Sequence, residues 1–534
     1  MAENNKKGLF ITEDGQNLAL TFALVSSLFF LWALCNGMID VMDKHFQEEL
    51  GLTKAQSAWV QFAHYLGYFL MSIPAGWLAT KLGYKRGIIA GLSLVAVGGF
   101  WFIPATRINA MVHTGAVSAN GAFVAFLAGV CVIATGLTFL ETVANPYTTV
   151  LGAKRFAATR INLAQTFNGL GWIFGPPIGG VFFYSKDVLG RSTGSQTLYI
   201  PYVGVAIVTI LLAVVFYFAN VPDIKTEDTY HLEEKDKESA GLDRTINRPL
   251  VYVLLLLNAI TLIGAVGMIV WAILGTSSLG ESVVNSILWV GAAVSIPVAA
   301  VLLIPLARKI THHSVWSHPH FTGATLAQFF YVAAQAGIFS FFINYMTAET
   351  PPIPASWASI GSLQGWFETS KAGVLALSDK GAANLASVAF GCFFAGRAIG
   401  SWLLKTYTAH KILGLYSVLN IALTLLVFFK IGWLSVVCVF LSYFFMSIMF
   451  PTIFALGIFG LGVRAKKASA FIVIAIMGGA ILPKLMGYVA DKSDMSRGFI
   501  VPMVCFAVVA LYGLQWPKLS GAESLAGMKL TGGH

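Results

Sequence analysis

Charge is what this chain has least of. Only 11% of its 534 residues are Asp, Glu, Lys or Arg, against about 25% in an ordinary soluble domain. So few charges could not keep a globule of this size in solution, which excludes a soluble enzyme and a disordered chain. Cysteine is sparse too. Cys35, Cys131, Cys392, Cys438 and Cys505 all lie inside apolar runs without paired spacing. A secreted disulfide scaffold is therefore excluded, and the five read as small core residues. No Walker sequence, HExxH or GxSxG occurs, so ATP-driven pumping and the usual hydrolases have no support. No cleavable signal peptide is expected, because residues 1–17 are polar and the first apolar run is long enough to span a bilayer. No cofactor, metal site or nucleic-acid partner is expected. The net charge of +10 comes from basic residues in short loops, where they orient a membrane protein.

What is present is apolar sequence. Hydrophobic residues make up 57% of the chain, and the mean hydropathy is +0.75. They fall in blocks of about 20 residues, the length a helix needs to cross the hydrocarbon core. An outer-membrane barrel would instead show alternating segments of about ten residues. Spans are expected at 18–43, 56–80, 86–104, 121–147, 161–185, 199–220, 249–275, 284–307, 320–346, 382–406, 411–429, 432–460, 467–490 and 498–516, about fourteen in all. The fold class is all-α integral membrane.

The two ends of the chain echo one another. Gly67, Gly76 and Lys81 recur at the same intervals as Gly391, Gly400 and Lys405. Pro146 to Leu151-Gly152 matches Pro451 to Leu456-Gly457. This predicts a six-helix unit used twice in parallel, a transporter architecture. The expected parts are a tail at 1–17, a first bundle at 18–220 and a polar linker at 221–248. Two additional helices at 249–308, a loop at 309–319, a second bundle at 320–516 and a tail at 517–534 complete the chain. Dense basic clusters (Lys81, Lys85, Arg86; Lys154, Arg155, Arg160; Arg464, Lys466, Lys467) tip the N-terminus, the linker and the 309–319 loop to the cytoplasmic side. The expected site is the cytoplasmic or inner membrane.

Ionisable groups inside spans carry the chemistry, since a charge at mid-bilayer costs about 2.5–3.5 kcal/mol. Glu141 is the lone carboxylate of its span; it reads as a reversible proton carrier or as a structural acid bonded to a neighbouring helix. Asp40 shares a helix face with Asn36 and reads as functional or as a helix-end acid. Asp43 reads as a solvated end charge. Asn162, Gln165 and Asn168 form a polar stripe on one span, and Gln328, Tyr331 and Gln335 form another. Such stripes bond to other helices or line a wet pathway, and amides suit hydroxyl-rich ligands. Gln61 and His64 add polar groups to the second span. Trp32, Phe139, Trp172, Phe329 and Phe330 are candidate stacking surfaces or simply core. The run Gly171-Trp-Ile-Phe-Gly175-Pro-Pro-Ile-Gly179-Gly180 fits tight packing or the GxxxGPxxGG pattern of drug/proton antiporters. His312, His313, His318 and His320 are read as solvated rather than metal-binding. Lys484 either pairs with a substrate acid or snorkels.

At these residues the sequence resembles the major facilitator superfamily, and within it the fucose permease-like sugar:proton symporters. The matching segments are SLFFLWALCNGMID, GYFLMSIPAGWLATKLGYKRG, FLETVANPYTTVLG, RINLAQTFNGLG, CFFAGRAIGSWLLK and FMSIMFPTIFALGI. The resemblance implies two six-helix bundles and a monosaccharide importer driven by protons, with sodium as the alternative; the insert at about 221–318, with its two extra helices, is not in the shorter fucose permeases. It carries proton coupling and substrate contact to Asp40 and Glu141, and cavity positions to Gln165 and Asn168. Gly37, Ile39, Asn344 and Met449 depart from the family's polar residues. The sugar stays open among hexose, 6-deoxyhexose and hexosamine, and a functional monomer is expected.

Overall fold

The computed structural model describes residues 9–11, 15–112, 114–152, 157–185, 194–222, 248–275, 280–309, 315–354, 356–357, 365–369, 375–404, 407–459, 461 and 465–520. It is helical almost throughout. The first half comprises α1 (Ala19–Asp40), α2 (Met42–Leu50), α3 (Lys54–Ser57), α4 (Trp59–Ala110), α5 (Ala119–Val150), α6 (Ala157–Phe183), α7 (Gly194–Thr197) and α8 (Tyr199–Phe218). Then come α9 (Arg248–Gly275) and α10 (Glu281–Arg308). The second half comprises α11 (Pro319–Ser340), α12 (Phe342–Glu349), a hairpin of β1 (Phe367–Thr369) and β2 (Leu375–Leu377), α13 (Asp379–Leu403), α14 (Ala409–Phe428), α15 (Trp433–Met446), α16 (Met449–Ile458), α17 (Ala465–Ile474), α18 (Gly478–Lys492), α19 (Met495–Gly498) and α20 (Ile500–Ser520).

Helices stand at all the expected span positions. By length and apolarity alone, 11 helices among the described residues qualify to cross a membrane, or 12 with α11 and α12 joined across their 49° bend. Spans 56–80 and 86–104 are two helices that meet at a kink inside α4, at Gly83 (φ 76, ψ 176), a backbone region that favours glycine. One detail differs from the sequence reading: α20 runs to Ser520, into the expected tail. The antiparallel β1–β2 pair, Phe367 opposite Leu377, was not anticipated.

The sequence echo is a structural one. In the first half α1 packs on α6, and α4 packs on both α5 and α8; in the second half α11 packs on α18, α13 on α15, and α14 on α20. The halves meet along two seams. At one, α6 meets α13, where Ser387 Oγ donates to the Ile173 carbonyl at 2.7 Å. At the other, α3 and α4 meet α18. The pair α9–α10 lies beside this second seam. α9 touches both halves, through Trp271 on Phe123 and Leu257 against the cluster of Phe329 and Met477. The best apolar window of α10 has no buried residue, as expected of a helix facing lipid.

Polar ties between the halves gather at the end where α2 and α3 lie. Asp491 of α18 accepts from the backbone N–H groups of Lys54 (3.0 Å) and Ala55 (2.9 Å), while its carboxylate sits 3.6 Å from Lys54 Nζ. Asn344 and Gln47 bond through their amides. Lys44 reaches Asp379 at 3.9 Å. The halves are thus closed at this end.

Candidate functional site

Trp32, Asn36 and Asp40 recur every four residues, so they line one face of α1. That face looks at Gln61, His64, Tyr65 and Tyr68 of α4. Gln61 Nε2 donates to Asp40 Oδ1 at 3.3 Å, and Trp32 Nε1 donates to the Tyr68 hydroxyl at 2.5 Å. The Tyr68 hydroxyl also adjoins Asn36 and lies within electrostatic reach of Glu141 on α5. Both acids therefore border one polar patch. Its hydrogen bonding is incomplete: Asp40 Oδ2, Asn36 Oδ1 and His64 Nδ1 are buried without a partner. Glu141 is half-buried. Buried polar groups are normally satisfied, so orphans on one surface mark a place for a ligand or water.

The facing wall is aromatic and belongs to both halves. Trp172 of α6 meets Trp32 edge-on at 6.1 Å and stacks on Phe390 at 4.8 Å. Phe339 of α11 stacks on Tyr443 of α15 at 4.6 Å. The Tyr443 hydroxyl is buried without a partner and lies within electrostatic reach of Asp40. A polar patch opposite aromatic faces offers hydrogen bonds on one side and stacking on the other.

The other expected residues fall as follows. Asn168 is buried, and Gln165 is half-buried and engaged with a neighbour. The side chain of Asn162 lies outside the described residues. Gln328 is fully buried with both amide atoms unpartnered, and Gln335 is half-buried. Tyr331 donates to the Met446 carbonyl at 3.0 Å. It also lies near Tyr65, which in turn lies near Asp40, so the second stripe reaches the patch through Tyr65. Of the aromatic candidates, Trp32 and Trp172 border the patch. Phe329 and Phe330 pack in the seam cluster, and Phe139 is core.

Two sequence readings are corrected. Asp43 is not a solvated end charge; it is 0% exposed, because α2 continues α1 after a break at Val41 instead of leaving for solvent. His318 and His320 are buried rather than solvated, and His320 Nε2 lies 2.9 Å from the Phe459 carbonyl. His312 and His313 lie outside the described residues. Lys484 does not snorkel freely, and among the described residues no carboxylate pairs with it. Its ammonium sits 3.2 Å from the centre of the Trp59 ring, a cation–π contact across the seam.

Arg397 was not singled out from sequence. Pro451 has no N–H to bond the Ser447 carbonyl, and α15 breaks from α16 there. Arg397 Nε fills the gap, donating to Ser447 O at 3.3 Å, with its guanidinium over Phe393. A proline four residues after an exposed carbonyl was the available signal. The GxxxGPxxGG run is explained by packing: a Cβ on Gly175 would sit 2.8 Å from Gly37 Cα, and one on Gly171 would overlap the Phe30 carbonyl.

Comparison with known proteins agrees with this architecture. The chain is 31% identical over 516 residues to the L-fucose-proton symporter of Escherichia coli (strain K12), covering 93% of each. It is 26% identical over 504 residues to a glucose/galactose transporter of Brucella abortus, covering 94% of this chain and 95% of that one. The crystal structure of a Major Facilitator Superfamily transporter, FucP, in the outward conformation, superposes with a TM-score of 0.54 at 30% identity, covering 93% of this chain and 99% of that one. A POT peptide transporter in complex with sulfate gives a TM-score of 0.60 at 14% identity, covering 96% and 97%, which speaks to the fold alone. The Major Facilitator Superfamily model matches residues 20–401. With two pseudo-equivalent helical halves, a family match over most of its length and a relative at 31% identity, the chain is a multi-pass membrane transporter, not an enzyme, and belongs to the Major Facilitator Superfamily.

Proposed function

We propose that the protein imports a monosaccharide together with protons, by alternating access of the seam between its halves. The observation that carries this reading is the pair of walls around Asp40: unsatisfied oxygens of Asn36 and Asp40 on α1 and the unsatisfied Nδ1 of His64 on α4 opposite the stacked rings of Trp172, Phe390, Phe339 and Tyr443. A sugar ring presents that combination, hydroxyls at its rim and C–H faces above and below. Amides both donate and accept, so Asn36, Gln61, Asn168, Gln328 and Gln335 read the hydroxyls, with Asn162 and Gln165 on the same helix as Asn168. Tyr331 positions this surface through its tie to Met446.

Glu141 and Asp40 hold the proton. The relatives named above as a fucose-proton symporter and a glucose/galactose transporter support a sugar with a coupling cation. Each proton moving inward gains about 2.3 kcal/mol per 100 mV. Symport requires that sugar and proton favour the same conformations. With the N-terminus cytoplasmic, the closed end bearing α2 and α3 is the outer one, so this conformation faces inward. The bundles at 18–220 and 320–516, the cytoplasmic linker at 221–248 and the helices at 249–308 are the parts of a monomeric inner-membrane transporter. Sodium in place of the proton is the alternative. Export of an amphipathic compound by proton antiport is the other alternative, although close packing of Gly171 and Gly175 on α1 and of Gly180 on Ala383 of α13 gives its glycine pattern a structural role.

The test is uptake of radiolabelled hexoses by proteoliposomes under an imposed pH gradient, with and without sodium. Accumulation above equilibrium with the interior alkaline is expected. A wild type that accumulates no hexose under either gradient refutes the reading.

A further inference from the structure

The break at Val41 places Asp43 close to Asp40, and among the described residues no basic side chain neutralises the pair. Asp43 is fully buried, and neither of its carboxylate oxygens has a hydrogen-bond partner. The second oxygen of Asp40 is also unpartnered. From the other half, Ser340 of α11 is 1% exposed. Its hydroxyl faces Asp43 without closing a hydrogen bond. Both oxygens of Asp43, one of Asp40 and the Ser340 hydroxyl are thus buried and unpartnered in the region where the halves join.

The nearest cations are otherwise engaged. Lys44 turns to Glu48 at 3.1 Å and to Asp379 at 3.9 Å. The His45 ring packs against Phe183 and Tyr184. The remaining titratable neighbours are the buried His64 ring on the α4 wall facing Asp40, its Nδ1 unpartnered, and phenols: Tyr184 near Asp43, and Tyr65, Tyr202 and Tyr443 near Asp40. Among the described residues none forms an ion pair with either carboxylate. Two neighbouring carboxylates in an apolar interior cannot both remain ionised without a compensating cation. Oxygen-only surroundings suit a proton or a small hard cation.

We propose that Asp43 and Ser340, beside Asp40, form a second cation site, which takes one monovalent cation, a proton or sodium, in addition to the proton that Glu141 and Asp40 hold in the reading above. The binding step stands by itself. Only its consequence, a further cation moved per sugar, rests on the symport reading.

The first experiment uses the full chain in nanodiscs without sugar. In one arm, the melting temperature is followed as sodium replaces choline at constant ionic strength. In the other, proton uptake is counted from alkaline pH down to about pH 6 only, above the range in which an ordinary carboxylate binds a proton. Two results support the site: a saturable rise in melting temperature with sodium that Asp43→Asn removes, or one proton fewer taken up by Asp43→Asn than by wild type. No sodium response in the wild type, together with equal proton uptake by the two proteins, overturns it. If Asp43→Asn does not fold, Ser340→Ala keeps both carboxylates. Its midpoint for the bound cation should then shift several-fold, and an unchanged midpoint for both cations overturns the site.

In proteoliposomes, a second coupled cation multiplies sugar accumulation by about tenfold for each tenfold cation gradient. Asp43→Asn should lose that factor. If the wild type accumulates no hexose while the nanodisc result holds, the symport reading fails and the cation site stands.

Discussion

Removing the Asp491 carboxylate should open the closed end of the molecule. Asp491 accepts two backbone N–H groups, at 3.0 and 2.9 Å, from the first turn of α3. That is the position where an anion is best placed against a helix. A hydrogen bond to a charged group contributes about 1.5–3 kcal/mol. The carboxylate is 22% exposed, so each bond belongs at the low end, and the partly exposed Lys54 pair at 3.6 Å adds at most about 1 kcal/mol. Since these contacts join α18 to α3, they exist only while the halves are closed here. Asp491→Ala should therefore cost the closed state about 3–4 kcal/mol, an about 150- to 850-fold shift in population toward opening. Spin labels on the adjoining ends of α3 and α18, read by pulsed electron resonance, should show a longer distance gaining weight. Asp494→Ala is the control, because Asp494 bonds within its own half, to Lys430 and Arg497. A distance distribution for Asp491→Ala that matches both wild type and control would refute the latch.

Three further outcomes follow from the same geometry. Glu141→Gln keeps the shape of the side chain but cannot release a proton; it should abolish gradient-driven accumulation while sugar exchange across the proteoliposome membrane persists. Asn36→Ala removes an unpartnered buried acceptor, and the loss of one hydrogen bond of about 0.5–1.5 kcal/mol should raise the exchange KM about 2- to 12-fold. Gly175→Ala would press a methyl group to within 2.9 Å of Gly37 and Leu34 backbone atoms, costing about 1–3 kcal/mol as overpacking. Its melting temperature should fall, whereas Gly204→Ala, inside α8 with nothing within 4 Å, should not lower it, because alanine favours the helix.

Helix positions were legible because a bilayer imposes one rule everywhere: backbone groups must be satisfied within an apolar run of fixed length. Asp40, Glu141 and the amide stripes stood out for the complementary reason, since polar groups are costly in such runs. Asp43 shows where that logic stopped. Its neighbours Lys44, Gln47, Glu48 and Glu49 gave it a polar setting along the chain, and only the continuation of α1 into α2 beneath the second half buries it. Lys484 was legible as an oddity but not as a partner of Trp59, which lies more than 400 residues away along the chain.

By itself, the sequence determined the class of molecule, its repeated halves and the short set of acids and amides able to carry chemistry, because all of these follow from local hydropathy and spacing. The tertiary structure alone decided which of them lie together. Closing the halves sets Ser340 beside Asp43 and the aromatic wall opposite Asp40, and such contacts between distant segments depend on how helices pack rather than on what each contains.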